Sequence, residues 1–194
     1  MRRAIHLALG ACAVFLLPSS AFAHPMKGVG DFYAGMLHPV VSIEMILPLI
    51  ALGLFAGQQR RETAIGVLAV FPTAILVGTF LTFMRPVPSF IATAILSMTA
   101  VTGLLIALSK RLPVAIPIAV AVLLGLAIGW SNASEITPQI SPARFVAGLA
   151  LVGLLVASYG VGLVRSLKVD WSQIAVRVAG SWLAAVGILV LGLR

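Results

Sequence analysis

The chain has 194 residues, of which 61% are hydrophobic and only 9% charged, and a formal net charge of +8. Soluble domains carry about a quarter of their residues as charges, so water is excluded as the solvent for most of this chain. The positive balance does not point to nucleic acid, because the Lys and Arg residues are scattered through short loops instead of forming one basic patch.

Residues 1–23 read as a signal peptide. "MRR" supplies the positive start, "AIHLALGACAVFLLP" the apolar core and "SSAFA" the small residues of a cleavage site. Cleavage after Ala23 would leave His24 as the new N-terminus and residues 24–194 as the membrane domain. The same stretch also fits an uncleaved first helix, and Cys12 in "LGAC" faintly matches a lipoprotein box. Cys12 is the only cysteine, so a cleaved chain would hold no disulfide and no thiolate metal site.

The rest divides into apolar runs of nearly the ~20 residues that span a bilayer as helix. The period-two alternation of barrel strands is missing, and helices satisfy their own backbone groups in lipid. The expected fold is therefore all-α, a polytopic membrane protein with a six-helix bundle. Spans are expected at 36–57, 64–83, 90–108, 113–130, 144–164 and 174–192, joined by "QQRRET", "MRPVPS", "SKRLP", "SNASEITPQISP" and "RSLKVDWSQ".

With a cleaved signal the N-terminus lies outside. Arg60, Arg61, Lys110, Arg111, Arg165, Lys168 and Arg177 then fall on the cytoplasmic side, against Lys27, Arg85, Arg144 and Arg194 outside. Seven against four agrees with the positive-inside rule. A bacterial inner membrane, with the N-terminus in the periplasm, is the expected location.

Glycines one turn apart, Gly53 and Gly57 in "GLFAG" and Gly125 and Gly129 in "GLAIG", suit close helix packing. "LGLFAG" ends the first span and "LGLAIG" the fourth. Those two spans run in opposite directions, as an inverted three-plus-three repeat requires.

Ionisable residues inside membrane spans are functional candidates. The first span opens with "HPVVSIEM". At 100° per residue His38, Ser42 and Met45 share one face, and Pro39 suits a first helical turn. Glu44 is expected about two turns inside the apolar core, either protonated or paired with His38, Arg85 or a cation, since a buried bare carboxylate is costly. A structural Glu bonded between helices and an interfacial His38 are the plain alternatives.

These residues, with "GDFYAGMLHPVVSIEMILPLIALGLFAG" and the six-span layout, resemble the HupE/UreJ family, small membrane proteins associated with nickel or cobalt uptake for hydrogenase and urease. The family's first signature is His-Pro, two variable residues, Gly, one variable residue and Asp-His. His38 and Pro39 match it, Ser42 replaces Gly, Glu44 replaces Asp and Met45 replaces the second His. The second signature resembles His-Gly-x-Ala-His-Gly-x-Glu. Gly125, Ala127 and Gly129 match, whereas Leu124 and Ile128 stand at the His positions and Ser131 at the Glu.

The resemblance implies binding or passage of a divalent transition metal as substrate, with no permanently bound cofactor. The expected metal residues are His38, Glu44, His24 and Met45. A terminal His24 offers an amine and a ring nitrogen, with His38 as a third nitrogen across a glycine-bearing loop. Nickel and cobalt favour such nitrogen donors; Met45, with Met26, Met36, Met84 and Met98, admits copper, although methionines also simply pack. No P-loop and no credible Ser–His–Asp set is present, so neither direct ATP coupling nor an enzyme is expected. Lipid, the metal and a second copy or accessory subunit are the expected partners. The competing reading, drawn from the missing histidines, is a degenerate relative acting as a membrane scaffold or accessory subunit.

Overall fold

The computed structural model describes residues 30–193, so the expected signal peptide, His24 and Lys27 lie outside the described residues. The described part is helical: α1 (Asp31–Val41), α2 (Ile43–Gln58), α3 (Arg61–Met84), α4 (Ile91–Leu108), α5 (Ala115–Asn132), a 3-10 turn (Ala133–Glu135), α6 (Pro142–Ser166) and α7 (Asp170–Gly192). No strand occurs among the described residues. Among the described residues five helices are long and apolar enough to cross a membrane, and α1 with α2 makes a sixth span if the pair is taken together.

That pair is the main departure from the sequence-based expectation. The first span is two helices bent by 83° at Ser42. Pro39 falls in the last turn of α1, where it removes the N–H that would bond the Gly35 carbonyl and ends the helix two residues on. Ser42 is extended (φ −99°, ψ 115°), and its carbonyl accepts from Met45 N–H at 3.1 Å and Ile46 N–H at 2.9 Å, which starts α2. That φ is open to any residue, so serine stands there without backbone strain. At ~1.5 Å per residue the 16 residues of α2 reach about 24 Å, short of a ~30 Å hydrocarbon core.

Each remaining helix crosses the bundle in the direction opposite to its predecessor. The α1–α2 break, the α3–α4 loop and the α5–α6 loop therefore share one end, here the upper end. The main partnerships are α3 with α5, α4 with α7, α2 with α6, and α1 with the start of α6. Exchanging α2, α3 and α4 for α5, α6 and α7 turns the α2–α6 pair into the α5–α3 pair and leaves α4–α7 unchanged. The sequence stretches "LGLFAG" and "LGLAIG" serve these exchanged pairs. Gly53 and Gly57 lie against Ala157, Gly160 and Val164 of α6, and Gly125 and Gly129 against Phe71, Ala74 and Ile75 of α3. The α2–α4 contact has no such counterpart.

Backbone meets backbone at these seams. A Cβ on Gly129 would strike the Ile75 carbonyl, one on Gly78 the Leu126 carbonyl, and one on Gly148 the Phe32 carbonyl. In α4–α7, Gly103 lies on Gly180 and Ala184. Lipid tails are as apolar as leucine, so dispersion at such close approach supplies the association that water would supply elsewhere. One core joins α2, α3, α5 and α6 through Leu49, Leu52, Phe71, Ile75, Leu124, Ile128 and Leu149.

The lower end is tied by polar groups. Buried Gln59 accepts from Leu112 N–H (2.9 Å) and donates to the carbonyls of Lys110 (3.3 Å) and Phe55 (3.4 Å). The Arg165 guanidinium donates to the Gln59 carbonyl (3.0 Å). Gln58 and Arg177 donate to the Ile106 and Ala107 carbonyls at the end of α4. Helix-end carbonyls without intrahelical partners are thus satisfied by side chains.

The seams can be tested by volume. Gly129→Val is expected to destabilise the bundle by roughly 1–3 kcal/mol, because the new side chain overpacks a backbone contact. Gly162→Ala, with no neighbour near its Cβ, is expected to be neutral or stabilising by up to ~1 kcal/mol. Thermal unfolding of both variants in detergent checks this.

Candidate functional site

The upper end collects the residues singled out in "HPVVSIEM". Asp31 opens α1, and its Oδ2 accepts from the Ser141 N–H at 3.1 Å, just before α6 begins. A carboxylate there sits at the positive end of two helix dipoles, those of α1 and α6. Gly35 against Phe145 and Gly148 against Phe32 hold α1 flat on the first turns of α6. The bend at Ser42 thereby has a fixed partner on its α1 side.

His38 is half-buried in the last turn of α1, and its ring centroid lies 6.4 Å from that of Phe145, tilted by 54°. Glu44 is exposed in the first turn of α2. The expectation of a carboxylate two turns deep in the apolar core is therefore corrected: the helix restarts at Ile43, so Glu44 sits at a helix start, on the surface, where its charge complements the N-terminal dipole. The single face shared by His38, Ser42 and Met45 is also lost, because Ser42 is not helical. Arg85 is exposed at the end of α3, and its carbonyl accepts from the Trp130 Nε1–H at 3.4 Å.

Met45 is half-buried and packs on the main core. Its Sδ lies 3.6 Å from the Nδ2 of Asn132, the last residue of α5. This contact spans 87 positions and brings the end of the first signature to the residue just beyond the second. Asn132 is 1% exposed. Its Nδ2 donates to the Ile128 carbonyl at 2.8 Å, while its Oδ1 is buried with no hydrogen-bond partner among the described residues. Asn132 lies one residue past Ser131, outside both signatures. The available signal was an amide at the end of an apolar run, adjacent to that position.

Around it the α3–α5 seam is polar at the top. The Thr79 hydroxyl lies 3.0 Å from the Ile75 carbonyl and 3.2 Å from the Gly129 carbonyl, so its one proton serves one of them at a time. Below, Leu124 and Ile128 are both 0% exposed and belong to the apolar core. The two histidine positions of the second signature are therefore filled by hydrocarbon. Among the described residues no three His, Cys, Asp or Glu side chains come together as a metal site.

The fold and this upper end define a small polytopic membrane protein whose first span is interrupted within its polar motif. A family model described as HupE / UreJ protein matches residues 12–190. The chain belongs to the HupE/UreJ family. Protein HupE of Rhizobium leguminosarum bv. viciae is 26% identical over 179 residues, covering 92% of this chain and 94% of that protein. No solved structure matches the chain.

The docking of α1 is testable. Asp31→Ala is expected to loosen α1 from α6 at a cost of about 1 kcal/mol, the usual loss for a carboxylate at a helix start. Faster amide hydrogen exchange across residues 31–41, with α3 and α5 unchanged, is the expected readout.

Proposed function

We propose that this protein binds a divalent transition metal, nickel or cobalt, at its upper end and passes it across a bacterial inner membrane. The reading rests on the break at Ser42, set within a motif that bears His38, Glu44 and Met45, in a chain of the HupE/UreJ family. A discontinuous helix leaves the carbonyl end of one half and the N–H end of the other without intrahelical partners, which is how many membrane transporters meet ions. In this reading the upper end faces the periplasm and residues 1–23 are removed as a signal peptide. Glu44 and His38 meet the hydrated cation at the mouth, and His24 adds its amine and ring nitrogen there. Met45 lies next along the way inward. Nickel and cobalt are cargo, and no cofactor is retained. Passage is not driven by ATP on this chain, so a gradient or an accessory subunit provides the direction, and lipid is the solvent.

A second reading is favoured by Leu124 and Ile128. Apolar side chains at both histidine positions of α5 seal the bundle centre below Met45. A protein that binds metal at the surface, or none, and serves as an accessory subunit is consistent with that dry core.

Uptake of radioactive nickel and cobalt by cells expressing the wild type separates the two. Under the first reading, Glu44→Gln and His38→Ala each reduce uptake by about tenfold or more, as loss of a metal-site group commonly does. Under the second, neither the wild type nor the variants accumulate metal above cells lacking the protein.

A further inference from the structure

We propose that the lower end of the bundle binds an anionic phospholipid whose headgroup carries a free hydroxyl. The phosphate lies on a basic rim, and the hydroxyl enters a cleft between α2, α4, α6 and α7. This site stands apart from the metal-handling reading and shares no residue with it.

The cleft is lined by Gln58 at the end of α2, Ser109 just past α4, Val164 and Leu167 at the end of α6, and Gln173 and Val176 near the start of α7. It has room for little more than one water-sized group. The Gln58 Nε2 donates to the Ile106 carbonyl at 3.1 Å, so the other terminal atom of that amide is the oxygen. This Oε1 is buried and has no hydrogen-bond partner among the described residues. A buried carbonyl without a donor is costly. A hydroxyl seated in the cleft is small enough to enter and supplies the donor.

The rim sets the charge of the rest of the ligand. Four wall positions are each followed by a cation: Ser109 by Lys110, Val164 by Arg165, Leu167 by Lys168 and Val176 by Arg177. All four are exposed. Arg165 and Arg177 each give one donor to a helix-end carbonyl, which leaves their charge and their other N–H groups available. The whole end carries seven basic residues against Glu62 and Asp170. Such a rim attracts a phosphate and repels an ammonium headgroup, although an ammonium would also donate to Gln58.

Position makes the anion a lipid. α6 packs on α2 and α7 on α4, whereas α6 and α7 hardly touch each other despite their short linker. A groove therefore runs from the cleft between these two helices. Exposed Trp171 at the start of α7 stands at the level where indole rings meet headgroups. The walls formed by Val164, Leu167 and Val176 suit a glycerol backbone and the first acyl carbons, and offer nothing to a soluble anion.

The test follows thermal unfolding of the full chain in detergent as lipid is titrated. Phosphatidylglycerol supplies phosphate and hydroxyl, phosphatidylmethanol the phosphate without the hydroxyl, and phosphatidylethanolamine a zwitterion. Phosphatidylglycerol is expected to stabilise the wild type at roughly fivefold lower concentration than phosphatidylmethanol, for one added hydrogen bond, with phosphatidylethanolamine weakest. Lys110 and Lys168 are exposed and hold no side-chain hydrogen bond or ion pair among the described residues. The double variant Lys110→Gln, Lys168→Gln is therefore expected to unfold like the wild type without lipid, and to need about tenfold or more phosphatidylglycerol for the same shift. Gln58→Leu is expected to lose the preference for phosphatidylglycerol over phosphatidylmethanol. Equal responses to phosphatidylglycerol and phosphatidylethanolamine, or a double lysine variant that responds like the wild type, overturn the proposal. An equal response to soluble glycerol phosphate overturns it in favour of a free anion, and a response to polyglutamate in place of lipid overturns it in favour of an acidic protein.

Discussion

Backbone-to-backbone contact at glycine is the constraint on which this bundle depends. Its helices have little hydrophobic incentive to leave lipid for one another, and apolar side chains cover the outer surface, as with exposed Phe80, Leu123 and Trp182. Association has to come from dispersion at short range, and only glycine lets two helix axes come so near. The four main partnerships each use it: Gly35 and Gly148 in α1–α6, Gly53 and Gly160 in α2–α6, Gly78 and Gly129 in α3–α5, Gly103 and Gly180 in α4–α7. Close approach also lets the Thr79 hydroxyl reach a carbonyl on the next helix.

The same contacts make the break at Ser42 a defined feature. A chain that merely loses its helix at Pro39 would leave α1 free to swing. Here α1 is held on α6 at two glycines and by the Asp31 carboxylate on the Ser141 N–H. The bend exposes Glu44 at one side of α2 and turns Met45 inward. A continuous helix from 36 to 57 would have carried the whole motif along one axis.

The core shared by α2, α3, α5 and α6 is apolar. Leu124 and Ile128 take part in core packing, while Gly125 and Gly129 form the seam with α3. Polar groups stand at the upper end of this seam: the amide of Asn132, the last residue of α5, and the hydroxyl of Thr79 on α3. These buried groups therefore gather at one end of the α3–α5 seam, and not along the bundle axis.

The spans were legible in the sequence because hydropathy is a local property: the observed helices from α3 to α7 begin and end within a few residues of the apolar runs. Family membership was likewise legible from the retained His38-Pro39 and the glycines of α5, over a match that covers residues 12–190. The bend was not, because Pro39 fits either the first turn or the last turn of a helix. The docking of α1 on α6, about 110 residues away in sequence, decided between them. Nor did spacing reveal the Met45–Asn132 contact, since the faces that α2 and α5 turn to each other follow from packing among all the helices. Local composition determined which segments enter the membrane; the close approach of glycine backbones decided where the first one breaks and which polar atoms are left without partners.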